Sequence, residues 1–138
     1  MTDDALIAGF ESATLASFHH RDHVRVSWIY LRRLGLYAAL AAVSDGLRRL
    51  SIAHGQEAKY HETVSWLYVF AIHERMVAVQ TWEDFERANP DLLANWGAFV
   101  SRYYTPEKLR SETARASFVL PDRLASPGLR GAAKSPPD

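Results

Sequence analysis

The chain contains no cysteine. That absence excludes disulfides, iron–sulfur clusters, thiolate zinc sites, thiol nucleophiles and covalently attached c-type haem. A metal here must be held by His, Asp, Glu, backbone or water. Glycine and proline are scarce, 7 and 6 in 138 residues, and three of the prolines stand in the last twelve positions. The body therefore has little to break helices. No charge of one sign predominates, because sixteen Lys and Arg balance sixteen Asp and Glu. A neutral chain lacks the electrostatic footprint of a nucleic-acid binder, so no such partner is expected. No uncharged apolar run reaches the ~20 residues of a membrane span, and no membrane partner is expected. The richest run, Val64 to Ile72, is followed by His73-Glu74-Arg75. The acidic start Met1-Thr2-Asp3-Asp4 has no basic segment leading into an apolar one, so the expected location is cytoplasmic. The phosphate-loop, Rossmann and G-x-S-x-G patterns are all missing, and so is H-E-x-x-H. His61-Glu62 begins like that last motif, but Ser65 stands where its second histidine should be.

What remains is alanine, leucine and helical spacing. Twenty alanines and fifteen leucines, with 48% hydrophobic and 23% charged residues, suit a soluble all-α domain. The length fits one domain. The expected fold is a single-domain bundle of five to seven helices over residues 1–120, with 121–138 a flexible tail rich in Pro, Gly, Ser and Ala. Asp3 or Asp4 caps a first helix to about Leu15. Ser17 or His19 opens a second, which Gly35 stops after Leu34. A third covers Leu36 to Ala53 before Gly55. A fourth runs from about Tyr60 to Val79, and its Val64–Ile72 segment is apolar almost all round, as in a helix surrounded by others. Thr81-x-x-Asp84 resembles a capping box for a fifth helix from Trp82. Asn89-Pro90 breaks that helix, and a sixth covers about Asp91 to Tyr103. Thr105-Pro106 opens a short last one.

Three of the six histidines fall in His19-His20-Arg21-Asp22-His23. On a wheel of 100° per residue Arg21, Arg25 and Arg32 define the wet side of the second helix. His23 lies opposite them, flanked by Leu34, Tyr30 and Ser27, with His19 and His20 to either side. Imidazoles on a core-facing stripe need partners, because burying them unpaired costs free energy. Spacing leaves both His19/His23 and His20/His23 open as a pair. The second cluster, Tyr60-His61-Glu62-Thr63, opens the most buried helix. His73 lies twelve residues beyond His61, about 18 Å along a continuous helix, and cannot share an ion with it. It reads as a separate polar patch. His54 reads as a helix-end residue without a functional role. Glu11, on a stripe with Ile7, Thr14 and Phe18, reads as a fourth ligand, a supporting carboxylate or a solvated charge.

Phe18-His19-His20-Arg21-Asp22-His23-Val24 followed by Tyr60-His61-Glu62-Thr63 resembles an uncharacterised group of small bacterial all-helical proteins. Their pattern is an early H-x-x-H-[LV] element and a later Y-H-E-T element. The resemblance spans most of the body, including Asn89-Pro90-Asp91-Leu92-Leu93 and Tyr103-Tyr104. It implies His20, not His19, as the partner of His23.

The first functional expectation is a metal-dependent enzyme acting on a small organic molecule. His20, His23 and His61 hold one transition-metal ion, which leaves an open coordination position as catalytic sites do. Imidazole ligation suits zinc, copper or iron alike. Glu62 is the general base, a supporting carboxylate or a fourth ligand. Trp28, Tyr60 and Trp66 wall the substrate pocket, with Tyr30 and Tyr68 as further aromatic candidates. The alternative is a non-enzymatic ligand-binding or interaction module in which the imidazoles, Glu62 and Glu11 form a buried hydrogen-bond network.

Overall fold

The computed structural model describes residues 1–123, and these form nine α-helices, one 3-10 turn and no strand. The described residues are all-helical in their regular structure, as the composition favours. The helices are α1 (Asp3–Glu11), α2 (His20–Leu34), α3 (Leu36–Ala53), α4 (Glu62–Arg75), α5 (Trp82–Ala88), α6 (Pro90–Leu93), α7 (Trp96–Val100), α8 (Pro106–Arg110) and α9 (Glu112–Ala116). The 3-10 turn spans Glu57–Lys59. Five of the nine have seven or more residues; the others are single turns that close the bundle.

Local chemistry sets most of these ends. Gly35 (φ 83°) and Gly55 (φ 68°) take left-handed backbone on either side of α3, where a side chain would strain the chain. Thr81 Oγ1 accepts from Asp84 N, and the Asp84 carboxylate accepts from Thr81 N. That is the capping box expected for α5. Three ends differ from the sequence expectation. The first helix is capped by Thr2, whose Oγ1 accepts from Ala5 N, and stops at Glu11. The fourth stops at Arg75, where Met76 turns to extended backbone, and not at Val79. The single helix expected over 91–103 is two, because Asn95 Oδ1 accepts from Gly97 N and Ala98 N and starts a new helix.

Helix α4 packs against α2, α3 and α9 and so stands at the centre. Its Leu67, Tyr68, Val69, Ala71 and Ile72 are all buried. From α2 come Val24, Val26, Trp28 and Ile29, and from α3 Ala39, Leu40, Val43 and Leu50. Leu34, placed on the core side by the wheel, is half-exposed at the end of its helix. Helix α1 lays Phe10 against α3 at Gly46. A Cβ there would stand 2.1 Å from the Phe10 ring.

The segment after α9 is tied to α4. Thr63 is fully buried, donates to Ser117 O (2.9 Å) and accepts from Val119 N (3.2 Å). Tyr104 Oη donates to Val119 O at 2.6 Å. Asp122 takes both Thr105 N and Thr105 Oγ1, and Arg123 N donates to Tyr103 O. The helical domain therefore continues through Arg123, three residues beyond the expected boundary. The rest of the expected tail, 124–138, lies outside the described residues. Thr63→Val keeps the shape but leaves the Ser117 carbonyl and the Val119 amide unpaired. It is expected to cost about 2 kcal/mol, read as a lowered urea midpoint at unchanged slope. An unchanged midpoint would show that these bonds carry no net stability.

Candidate imidazole-lined site

The histidine-bearing ends of α2 and α4 meet beside the C-terminal end of α3. They border an open pocket of about 630 Å3 whose wall includes His19, His20, His23, His54 and His61. Five of the six histidines thus face one space, including His54, to which sequence reasoning gave no role. His73 is exposed near the far end of α4 and stands apart, as the helix rise requires.

Each ring is held differently. His20 Nε2 is 2.7 Å from Leu92 O, and His54 Nε2 is 3.0 Å from Leu15 O. A carbonyl only accepts, so both rings, when neutral, carry their proton on Nε2 and keep a lone pair on Nδ1. His61 uses both nitrogens on backbone: Nε2 donates to Leu109 O at 2.7 Å, and Nδ1 accepts from Val64 N at 3.2 Å, capping α4. The His23 Nε2 atom is sealed from solvent and has no partner among the described residues. The rings of His20 and His23 lie edge to face, with centroids 6.1 Å apart, and Tyr68 packs against both at 4.8 and 5.6 Å.

Burial sets the protonation of this cluster. Desolvation, helped by the neighbouring His20, pulls the His23 imidazole down to about 3. Desolvation also lowers His20 and His61, in each case against the raising effect of the carbonyl it bonds, and for His61 with help from Arg115. His20, His23 and His61 are thus held toward the neutral form, in which each ring both donates and accepts.

The carboxylates stand elsewhere. Glu62, at the first position of α4, accepts from the Tyr60 hydroxyl and pairs with Arg48 at 3.4 Å. Burial, and then this carboxylate, push the Tyr60 phenol up to about 12. Glu11 accepts from Tyr30 Oη at 2.8 Å and does not line the cavity. Of the three expected wall aromatics, only Tyr60 lines this space. Trp28 packs on Trp82 at a separate surface cavity, under Arg32. Trp66 donates to Ser44 Oγ (2.9 Å) and stacks on Phe118, facing the core and the C-terminal segment. The remaining wall includes Phe18, Leu47, Val64, Tyr68 and Trp96, with Lys59 and Arg115. Arg115 comes from α9 and is held by Ala58 O at 2.8 Å. Its part in the wall follows from a chain return that no local pattern announces.

His20, His23 and His61 are thus brought to one cavity, but only His20 and His23 have a nitrogen free of protein bonds. Among the described residues no group of three or more His, Asp or Glu converges as a metal-binding set. None of the described helices is long and apolar enough to cross a membrane. No family model, curated protein or solved structure matches this chain.

Proposed function

We propose that this chain is a helical domain that binds a small, partly apolar organic molecule in the imidazole-lined cavity. The observation behind the reading is a pocket of about 630 Å3 whose wall includes five of the six histidines. That volume lies within the range of small-molecule sites, ~300–1,000 Å3. The cavity has the usual build of such sites, an apolar wall with a few convergent polar groups. Leu47, Val64, Tyr68 and Trp96 supply the wall, and the imidazoles supply the polar groups. The test is a fragment library screened by protein-observed NMR. Hits are expected to shift His23 and Tyr68 resonances, and Leu47→Trp, which places an indole in the cavity, is expected to abolish them. A library without a cavity-directed hit would end this reading.

A second reading, a metal-dependent enzyme, is favoured by one feature of His20. Its Nε2–H rests on a backbone carbonyl, the arrangement that fixes the tautomer of a metal-binding imidazole and leaves the other nitrogen free. His20 and His23 would then hold a zinc, copper or iron ion, and His61 would join only by releasing Leu109 O or Val64 N–H. Glu62 would have to leave Tyr60 and Arg48 to serve as a base. Elemental analysis of untagged protein decides between the readings. About one equivalent of metal, lost in His23→Ala and kept in His73→Ala, would establish the metal reading. Metal-free protein that still binds cavity-directed fragments would remove it.

A further inference from the structure

The charge on the cavity wall narrows the class of occupant. Among the described residues, the charged side chains that line it are Lys59 and Arg115, and no Asp or Glu does. This is unexpected in a chain with as many acidic as basic residues. Of the carboxylates next in sequence to wall residues, Asp22 accepts from His19 N, Glu57 is exposed, and Glu62 is held by the Tyr60 hydroxyl and Arg48. The N-terminal ends of α2 and α4, helices of 15 and 14 residues, both open onto the cavity through His20 and His61. Their backbone dipoles put partial positive charge there. The C-terminal end of α3 contributes the opposite sign at His54, but His54 Nε2–H is turned to Leu15 O. Helix ends alone define nothing. With two cations and no carboxylate in the lining, they make this an electropositive pocket.

We infer that the occupant is an organic anion, an apolar or aromatic body carrying a carboxylate-class headgroup, which lies against Lys59 and Arg115 while the body packs on Leu47, Val64 and Tyr68. The inference rests on the cavity being a small-molecule site and adds the charge of the ligand. A neutral or cationic ligand would leave both rim cations without an anionic partner. An anion is paired there, although the partial exposure of the rim limits each contact.

The experiment uses the described chain with its full sequence and two matched probes, naphthalene-2-carboxylate and naphthalene-2-carboxamide, titrated by heteronuclear NMR. The acid is expected to bind about tenfold tighter than the amide, the equivalent of one favourable charge contact. Lys59→Gln, at an exposed position, is expected to reduce that preference to about threefold, and Arg115→Gln to do the same. Leu47→Trp is expected to abolish binding of both probes. Equal or tighter binding of the amide would overturn the anionic assignment and leave the cavity reading standing. So would a preference for the acid that survives both charge variants. If neither probe perturbs His23 or Tyr68, the cavity reading fails, and the inference fails with it.

Discussion

Lowering the pH from 6.5 to 4.5 is expected to destabilise the fold by about 2 kcal/mol through His23 alone. The unfolded imidazole titrates near 6.5, whereas burial holds the folded one at about 3. Between those values the unfolded chain binds a proton that the native state refuses, so stability falls as pH falls. The slope approaches about 1.4 kcal/mol per pH unit for one group. His20 and His61 are lowered by the same cause and add to the loss with the same sign. The Arg75–Asp91 ion pair does not interfere, because Arg75 holds the Asp91 carboxyl at about 2 and its contribution is lost below this window. Urea midpoints measured at half-unit steps would show the slope. His23→Phe keeps a ring against Tyr68 and removes the titrating nitrogen, so its profile should be flatter than that of the parent. Superimposable profiles for parent and variant would show that His23 is not buried as a neutral base. An anionic ligand in the cavity is expected to oppose the acid loss by favouring the charged imidazole.

The second large effect lies at the contact of α1 with α3. Phe10 is fully buried, stacked on Phe18 with centroids 5.4 Å apart and tilted against Tyr30. Phe10→Ala removes a ring from a packed site and is expected to cost about 3–5 kcal/mol. Gly46→Ala tests the same contact from the other side. In an exposed helix, alanine would gain about 1 kcal/mol over glycine. Here the new Cβ would stand 2.1 and 2.4 Å from two ring carbons of the fully buried Phe10, which would have to shift. Overpacking of this kind costs about 1–3 kcal/mol, so Gly46→Ala should destabilise. In the Phe10→Ala background the clash is gone, and Gly46→Ala should become stabilising. That reversal of sign in a double-mutant cycle is the expected result. A substitution at Gly46 that is favourable in both backgrounds would show that α1 does not seat there.

Local chemistry made much of the architecture legible. The bounds of α3 stand in the sequence because Gly35 and Gly55 both take a backbone that other residues avoid. The start of α5 stands there too, in the reciprocal Thr81–Asp84 bonds. The central place of α4 follows from an apolar run too broad for one face to bury. The helix wheel placed His23 away from the arginines, and the neighbourhood of α2 and α4 brought His20 and His61 to the same cavity. The signal for Asn95 was present but weak, a single cap residue inside a helical pattern.

The rest depended on contacts between residues far apart in the chain. His61 bonds Leu109, 48 positions away, and His20 bonds Leu92, 72 positions away. Those two carbonyls decide which nitrogen of each ring carries the proton, and no spacing on one helix carries that information. The same holds for Trp28 and Trp66, which share the aromatic character of Tyr60 but are turned to other neighbours. Arg115 reaches the cavity only because α9 folds back on α4. Helical period fixes the direction of a side chain around its own axis. Which surface it then meets is decided by packing of the whole chain, where burial, charge and hydrogen bonding are settled together.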